Sequence, residues 1–432
     1  MTDTTKTDTI AVHCGLSPDP STLAVGLNVC RSSSFVFKNA RHAADLFNLK
    51  EQGYIYSRLG NPTNDVLEQK ITQLENGTAS VAVSSGTSAI FYSVINIAQT
   101  GDEFVSSSSL YGGTFTMFDA ILPSFGIKAR FADVRKPESF EQLINAKTRF
   151  IYTETIGNPS LDVADLDALS EIAGKHGLPL VVDATFTTPA LLRSIEHSAD
   201  VVINSLTKWI GGHGSAIGGI VTDAGKFDWS DKRFELFNKP DKSYHGLTWA
   251  KDLPQNLAGS VFATRFRLVP LRNLGACLSP DNAWIFAQGC QTLHLRMARH
   301  CRNALAVAKF LESHSKVAWV RYPELESDPS HKTASKLLKN GFGGMVVFGV
   351  KGGREAGERF INSLRLFLHL ANVGDARSLA LHPASTTHAQ LTDDLQAQCG
   401  ITPDMVRLSV GLENTDDIIG DLDQALARLG PS

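Results

Sequence analysis

Between residues 80 and 222, short apolar segments alternate with stretches of amphipathic helical character, and this alternation constrains the fold more than any other feature. Helical stretches such as 165–176, which begins at Asp165 and ends before Gly177, separate most of the apolar segments. The segments with the length and composition of buried strands are 80–83, 103–106, 128–132, 150–154, 180–183, 201–204 and 217–221. Continuous apolar strands separated by helices predict an α/β fold with a mostly parallel sheet covered on both faces.

The remaining sequence predicts a second, smaller unit. A chain of 432 residues is longer than one ordinary domain. Residues 1–60 show little periodicity and are interpreted as an N-terminal arm, which is followed by a helix that opens at Asn61-Pro62. Residues 61–282 form the predicted large domain, with an irregular stretch over 223–281. A long helical stretch from about 282 to 313 and later helix–strand alternations predict a smaller C-terminal α/β domain over 283–432, packed closely against the first.

Composition narrows the classes of function. Hydrophobic residues make up 43% and charged residues 20%, and the net charge of −3 does not favour nucleic acid as the main partner. No apolar run approaches the roughly 18–20 residues that span a bilayer, and the N-terminus lacks the apolar stretch of a secretory signal. The six cysteines include no C-x-x-C pair, which favours free thiols in a reducing compartment. We therefore expect a soluble cytoplasmic enzyme that acts on a small molecule, with no membrane partner.

Several polar residues stand at predicted strand ends, where α/β sheets bind ligands, among them Glu154, Asp183 and Lys208. Asp183 ends the segment LPLVVD, and a buried carboxylate needs a cationic partner, which the protonated ring nitrogen of pyridoxal-5′-phosphate (PLP) would supply. Asp183 could equally cap the following turn. Lys208 follows the next strand in NSLTKWIGGHG, with the hydroxyls of Ser205 and Thr207 beside it for a phosphate. A desolvated lysine can form a Schiff base and transfer protons, so Asp183 and Lys208 together predict a PLP site.

Two further segments have residues that could bind a phosphate and stack on a planar ring. SSGTSAI (84–90) joins a strand to a helix through Gly86, and backbone N–H groups at a helix N-terminus bind anions. The sequence contains no P-loop motif and no G-x-G-x-x-G that opens a helix after the first strand, which disfavours a nicotinamide oxidoreductase. Tyr111, in SLYGGTF, could stack on a planar cofactor and move protons, or it could be a half-buried core tyrosine.

Two histidine-containing groups carry weaker signals. A soft metal site could use one face of the predicted helix over 282–313, but the apolar residues on that helix favour ordinary packing, and we expect no metal. The residues on that face are Cys290, His294, Met297 and Cys301. His382 and His388, in HPASTTH, are equally interpretable as reactive groups or as hydrogen-bonding residues of a polar loop.

Eight motifs, in register, resemble those of the Cys/Met-metabolism family of PLP-dependent enzymes, the γ-family of fold type I. The resemblance extends from about residue 9 to residue 429. The motifs are YSRLGNPTNDVLEQ (56–69), SSGTSAI (84–90), SLYGGTF (109–115), ETIGNP (154–159), VVDATF (181–186), NSLTKWIGGHG (204–214), HPASTTH (382–388) and VRLSVGLEN (406–414). The resemblance implies a PLP-dependent transferase of fold type I, with a mostly parallel mixed sheet and a smaller C-terminal α/β domain.

The resemblance also implies a role for each residue around the cofactor. Lys208 would be the Schiff-base lysine, Asp183 the partner of the pyridinium nitrogen, and Tyr111 the residue that stacks on the ring; these three would be catalytic. Asn158 would form a hydrogen bond near the 3′-oxygen. Phosphate would be bound by the backbone N–H groups of Gly86 and Thr87, by the hydroxyls of Ser205 and Thr207, and by Tyr56 and Arg58 of a neighbouring subunit.

The implied substrate is a small amino acid. Arg407 would hold its α-carboxylate as a bidentate fork, with Ser378 and Asn158 beside it. Sites shared between subunits imply an obligate dimer, usually doubled to a homotetramer. Within the family the chain is most similar to the O-acetylhomoserine sulfhydrylases, which implies γ-replacement on O-acetylhomoserine by sulfide or a thiol, giving homocysteine or methionine and acetate. The similarity rests on the segment ADLFNLKEQGYIYSR, the form TKWIGGHGSAIGG of the lysine motif, and the long segment 223–275.

Other interpretations stay open. Three positions depart from the family pattern, namely Thr87, Ala184 and Asn204, and they affect the surroundings of the cofactor and the choice of substrate. A methionine γ-lyase or a cystathionine γ-synthase could use the same scaffold, although Gly113 stands where the lyases usually carry cysteine. A catalytically silent binding protein is the alternative from a different class. The sequence leaves the acyl leaving group and the sulfur donor undetermined.

Overall fold

A seven-stranded sheet lies between residues 79 and 223 of the computed structural model, which describes residues 6–386 and 400–429 of the chain. Its strands, in chain order, are β1 (Ala79–Val83), β2 (Glu103–Ser107), β3 (Lys128–Ala132), β4 (Thr148–Glu154), β5 (Leu180–Asp183), β6 (Val201–Ser205) and β7 (Gly219–Asp223). The spatial order is β1-β7-β6-β5-β4-β2-β3. Strand β7 runs antiparallel to β1 and β6, whereas the other pairs are parallel. The predicted strands and the mostly parallel sheet are confirmed, with strand ends that shift by at most two residues.

Side chains from the sheet enter hydrophobic cores on both faces. On β5, Val182 belongs to one core cluster and Val181 to another, as expected for successive residues of a strand buried on both sides. The helices along this part of the chain are α1 (Thr7–His13), α2 (Ala40–Phe47), α3 (Pro62–Glu75), α4 (Gly86–Ile97), α5 (Gly112–Thr116), α6 (Glu138–Leu143), α7 (Leu166–His176) and α8 (Thr188–Leu191).

The helix boundaries follow the capping residues of the sequence. The side chain of Asn61 accepts a hydrogen bond from the backbone N–H of Thr63, and α3 ends where Asn76 adopts φ of 61°. Helix α7 begins after Asp165, whose side chain accepts from Ala168, and ends at Gly177, with φ of 60°. The start of α3 and both ends of α7 were predicted.

The extended arm predicted over residues 1–60 is more ordered than expected, because it contains α1 and α2. Helix α1 packs on α3, where the buried ammonium of Lys70 donates a hydrogen bond to the carbonyl of Ala11 at 2.7 Å. Short helices also interrupt the irregular stretch predicted over 223–281; they are α9 (Glu235–Asn238), α10 (Trp249–Asp252), α11 (Val261–Phe266) and α12 (Arg272–Leu274).

A second sheet follows in the C-terminal part. Its strands are β8 (Val317–Arg321), β9 (Met345–Val350), β10 (Leu368–His369), β11 (Leu379–Leu381) and β12 (Met405–Ser409), in the spatial order β10-β11-β12-β9-β8. The accompanying helices are α13 (Pro280–Gln291), α14 (Leu293–Ser313), α15 (His331–Leu337), α16 (Gly353–Ser363) and α17 (Thr415–Ala427). The single helix predicted from about 282 to 313 is therefore two helices, which meet at Thr292.

The two sheets share part of their hydrophobic packing. One cluster contains Val182 of β5 together with Ala283 of α13, Met297 of α14 and Val347 of β9, so the C-terminal elements pack on the large sheet. A separate cluster lies within the C-terminal part, between its sheet and α14, α16 and α17. Across residues 6–386 and 400–429, no helix combines the length and apolarity needed to cross a membrane.

Candidate active site

A cavity of about 280 Å³ lies at the carboxyl ends of the parallel strands β4, β5 and β6. Its wall is completed by helix α4, by the segment before α5 and by strand β12. The sequence-predicted residues that line it are Gly86, Thr87, Tyr111, Asn158, Asp183, Ser205, Thr207, Lys208 and Arg407. These residues span more than 300 positions of the chain, and the sheet brings them together because parallel strands end at one edge.

Lys208 projects into this cavity from the turn that follows β6. Its Nζ donates a hydrogen bond to Oδ1 of Asn372 at 2.6 Å. Burial, together with the positive charge of Arg407, lowers the pKa of Lys208 to about 8. A lysine of lowered basicity, held by one polar contact, is suited to act both as a nucleophile and as a base.

Asp183 ends β5 and is only 9% exposed. Burial raises the pKa of its carboxyl to about 6, although a hydrogen bond from the backbone N–H of Thr185 at 2.9 Å partly opposes this. Among the residues that the structure describes, Asp183 forms no salt bridge. A buried carboxyl without a cation is a favourable place for a positively charged ring nitrogen.

The N-terminus of α4 approaches the end of β6 very closely at Gly86. A Cβ atom at Gly86 would lie 2.7 Å from the Cβ of Ser205, so only glycine fits this approach. Ser85 caps the helix by accepting from the backbone N–H of Ser88 at 3.0 Å. The backbone N–H groups of the first turn and the nearby hydroxyls of Ser205 and Thr207 line one edge of the cavity, and this arrangement is suited to binding an anion.

Arg407 reaches the opposite wall from the middle of β12 and is 5% exposed. Its Nη1 donates to Oδ1 of Asn158 at 2.9 Å. Burial lowers the pKa of this guanidinium to about 10, so it remains charged at neutral pH. Tyr111, at the mouth, keeps 49% of its surface exposed, and its backbone N–H donates to Oε1 of Glu154 at 2.8 Å. The cavity thus presents a lysine, a carboxyl, an edge of backbone N–H and hydroxyl groups, and an arginine within one enclosure.

Comparison with known proteins assigns this arrangement to a family. The model of the family described as Cys/Met metabolism PLP-dependent enzyme matches residues 8–427. The chain belongs to that family. It is 49% identical over 429 residues to an O-acetyl-L-homoserine sulfhydrylase of Leptospira meyeri, covering 98% of this chain and 97% of the relative. It is 46% identical to a homocysteine synthase of Schizosaccharomyces pombe, covering 97% of both chains.

A solved structure gives the same result for the fold. It is a crystal structure of a Campylobacter jejuni protein assigned as an O-acetylhomoserine (thiol)-lyase, and it contains a pyridoxyl-lysine phosphate residue. It superimposes with a TM-score of 0.94 at 39% identity, covering 98% of this chain and 100% of that chain. The predicted PLP-dependent fold type I is therefore confirmed, as is the predicted cofactor.

The residues of the cavity fit PLP, the cofactor of the family. Asp183 is a buried carboxyl that lacks a cation within the described residues, and Lys208 is an amine that burial makes nucleophilic. The close approach at Gly86 leaves the backbone N–H groups of α4 open to a phosphate, because a side chain there would fill the cradle.

Three residues predicted for the site lie outside the cavity lining. Ser378 is fully buried, and its hydroxyl donates to Oε2 of Glu413 at 2.9 Å and accepts from the backbone N–H of Gly411 at 2.9 Å. The hydroxyl of Ser378 is therefore engaged within the protein rather than in the cavity lining. Tyr56 is 41% exposed, and the guanidinium of Arg58 lies 4.8 Å from the centroid of its ring.

The departures from the family pattern differ in where they lie. Thr87 lines the cavity. Ala184 is fully buried and belongs to the hydrophobic core. Asn204 donates from Nδ2 to Oε1 of Glu75 at 2.8 Å, which turns its side chain into the protein interior. Of the three, only Thr87 lines the proposed cofactor site.

The weaker candidates take structural positions. His382 has both ring nitrogens within 2.9 Å of a partner, the hydroxyl of Ser385 and the carbonyl of Pro403, so it is a hydrogen-bonding residue of its loop. His388 lies outside the described residues. In the helical face considered for a metal, Cys290, Met297 and Cys301 are buried in the main hydrophobic core. Within residues 6–386 and 400–429, no cluster of three metal-ligating side chains occurs.

Among the cavity residues that sequence reasoning missed, two form hydrogen bonds with Asp183 and Lys208. Thr185 donates its backbone N–H to Asp183, and Asn372 accepts from the ammonium of Lys208. Thr185 stands in the motif VVDATF and could have been found there. Asn372 lies 164 residues from Lys208, in a segment without periodicity, and only the fold brings the two together.

Proposed function

We propose that this chain catalyses γ-replacement on O-acetylhomoserine, in which sulfide or a thiol displaces acetate and homocysteine or methionine is released. One observation carries the proposal: Lys208, Asp183 and Arg407 line a single cavity in a chain 49% identical to an O-acetyl-L-homoserine sulfhydrylase. The combination suits an α-amino acid, because arginine binds a carboxylate through two parallel hydrogen bonds and a lysine amine can exchange the α-proton.

Bound PLP would supply the electron sink that acidifies the protons on Cα and Cβ of the substrate. Lys208 would anchor the cofactor until the substrate amine displaces it, and its freed amine would then remove the α-proton. With a pKa lowered to about 8, a substantial part of this amine is unprotonated near that pH. Asn372 would keep Nζ in position through its 2.6 Å hydrogen bond.

The other cavity residues would orient the reactants. Asp183 would pair with the ring nitrogen, and Tyr111 would cover the ring and serve as a second base. Arg407 would hold the substrate carboxylate, and its hydrogen bond to Asn158 would fix the plane of the guanidinium. Phosphate would be bound by the N–H groups of Gly86 and Thr87 and by the hydroxyls of Ser205 and Thr207. Ser378 would act indirectly, because its hydroxyl is bound to Glu413.

A neighbouring subunit would complete each site. Tyr56 and Arg58 do not line the cavity of their own chain, and Tyr56 is 41% exposed. Nε of Arg58 donates to the carbonyl of Arg272 at 2.9 Å, so the Nη groups of Arg58 and the phenol of Tyr56 would be the atoms that reach the phosphate of a partner. The proposed assembly is a dimer with shared sites, doubled to a homotetramer, in the cytoplasm. The proposed division of the chain is an arm over 1–60, a cofactor-binding domain over 61–282 and a C-terminal domain over 283–432.

A product-resolved assay tests the proposal. The PLP-loaded protein is supplied with O-acetyl-, O-succinyl- or O-phosphohomoserine, each with sulfide, methanethiol or cysteine, and the products are separated. We expect homocysteine from O-acetylhomoserine and sulfide, and no turnover by Lys208→Ala, which also loses covalent attachment of the cofactor. The lysine of an exposed salt bridge, Lys239, supplies the matched control Lys239→Ala.

The other outcomes identify the alternatives. Release of α-ketobutyrate and ammonia without a sulfur nucleophile would identify a γ-lyase, and preferred formation of cystathionine from cysteine would identify a cystathionine γ-synthase. Purified protein that fails to bind PLP would indicate a silent member of the family.

A further inference from the structure

Glu154 connects the floor of the cavity to the segment that carries Tyr111. It ends β4, is 7% exposed, and lines the cavity. Its Oε1 accepts the backbone N–H of Tyr111 at 2.8 Å. Tyr111 immediately precedes α5, so this contact joins the first turn of a short helix to the rigid central sheet.

The ring of Tyr111 depends on its backbone for its position, since 49% of the residue is exposed. The ring lies against Gly113: a Cβ atom there would come within 2.6 Å of Cε1 and 3.1 Å of Cζ of the tyrosine. Glu154 therefore holds the backbone of Tyr111, and Gly113 leaves the space that the ring of Tyr111 occupies.

The charge at Glu154 is set by its burial and by its neighbour on β5. The Cα atoms of Glu154 and Asp183 are register partners in the parallel pair β4–β5. Burial and the negative charge of Asp183 raise the pKa of Glu154 well above its ordinary value. Two ionised carboxylates side by side would repel each other, so Glu154 is the neutral member and Asp183 the anion. A glutamine can replace a neutral glutamic acid here, because its amide oxygen accepts the same hydrogen bond.

We propose that Glu154 is a positioning residue: its carboxyl oxygen fixes the backbone of Tyr111, and Gly113 leaves the space in which the ring then lies over the cofactor. The kinetic consequence of this placement rests on the proposed function, whereas the placement itself does not.

The experiment compares Glu154→Gln, Glu154→Leu and Gly113→Ala by two readouts on the PLP-loaded protein. The first is the visible circular dichroism of the bound cofactor, which reports the asymmetry of its surroundings. The second is kcat and KM for O-acetylhomoserine with sulfide. We expect Glu154→Gln to keep the wild-type dichroism and kcat within about threefold. Glu154→Leu and Gly113→Ala should each change the dichroism and lower kcat by about 10- to 100-fold, as expected when a reacting group is displaced by about 1 Å.

A double-mutant cycle separates action through Tyr111 from a general loss of stability. In a Tyr111→Ala background, Glu154→Leu should lower kcat by less than about threefold. An equal loss in both backgrounds would overturn the proposal, and so would wild-type dichroism in Glu154→Leu. If thermal unfolding shows that Glu154→Leu does not fold, Gly113→Ala carries the test, and an unchanged dichroism there overturns the proposal.

The dichroism also keeps the two hypotheses distinguishable. Wild-type protein that does not turn over O-acetylhomoserine with any nucleophile contradicts the proposed function alone. The dichroism series then still decides whether Glu154 positions the ring.

Discussion

Replacement of Arg407 by lysine tests the proposed substrate contact most directly. The guanidinium is 5% exposed and donates from Nη1 to Oδ1 of Asn158 at 2.9 Å, which leaves its remaining donors for a carboxylate in the cavity. Arg407→Lys keeps a positive charge in place but cannot form two parallel hydrogen bonds. The variant therefore loses the paired hydrogen bonds to the carboxylate, while it largely retains the Coulomb attraction.

The expected loss follows from the hydrogen bonds that disappear. One hydrogen bond to a charged group contributes about 1.5–3 kcal/mol. At 1.36 kcal/mol for each factor of ten in rate, the loss of one such bond lowers kcat/KM by about 10- to 160-fold. Since the substrate carboxylate is bound before and during the reaction, most of the effect should appear as a higher KM, with a smaller fall in kcat.

The assay measures kcat and KM for O-acetylhomoserine at saturating sulfide. Arg377→Lys is the matched control, because Arg377 has a side chain 60% exposed and pairs with Asp375 outside the cavity. We expect the control to stay within about twofold of wild type, in line with the small contribution of exposed ion pairs. A kcat/KM for Arg407→Lys within threefold of wild type would refute the assignment of Arg407 to the substrate carboxylate.

Three further predictions concern the cofactor cradle, a buried acid and the lysine. Gly86→Ala introduces a Cβ atom 2.7 Å from that of Ser205 and should raise the dissociation constant for PLP at least about tenfold, as measured by dialysis and absorbance. The control Gly174→Ala lies at an open position of a helix and should add about 0.5–1 kcal/mol to the free energy of unfolding. Burial raises the pKa of Glu75 to about 8 in the folded state. The wild-type protein therefore loses stability as the pH rises from the pKa that Glu75 has in the unfolded chain towards 8. The melting temperature of Glu75→Gln relative to wild type should therefore rise between pH 5 and pH 8 and then level off; a constant difference would contradict the raised pKa. Asn372→Ala should slow α-proton exchange in deuterated water about tenfold, because the amine loses its 2.6 Å partner; wild-type exchange would exclude that role.

The sequence predicted the central sheet closely because its strands are buried on both faces. Such strands are continuous apolar segments, and their ends are marked by the polar residues that line the cavity. Helices α1 and α2 were missed because seven or eight residues contain only about two helical turns, too few for a periodic pattern. Helix α1 is held instead by a non-local contact, the hydrogen bond from Lys70 to Ala11, which lies 59 residues earlier.

The position of a residue in the cavity could be predicted from the sequence where the residue follows directly from a strand, and less completely where a loop determines the orientation of its side chain. Asp183 and Lys208 come at or just after strand ends, so their place in the cavity follows from the topology. Ser378 immediately precedes β11, which pairs with β12, and its hydroxyl is bound to Glu413. Asn372, six positions earlier on the same connection, has left the sheet and reaches Lys208. Within the connection between β10 and β11, Asn372 contacts Lys208, whereas Ser378 lies directly before β11 and contacts Glu413. This geometry places Asn372, rather than Ser378, next to the amine of Lys208.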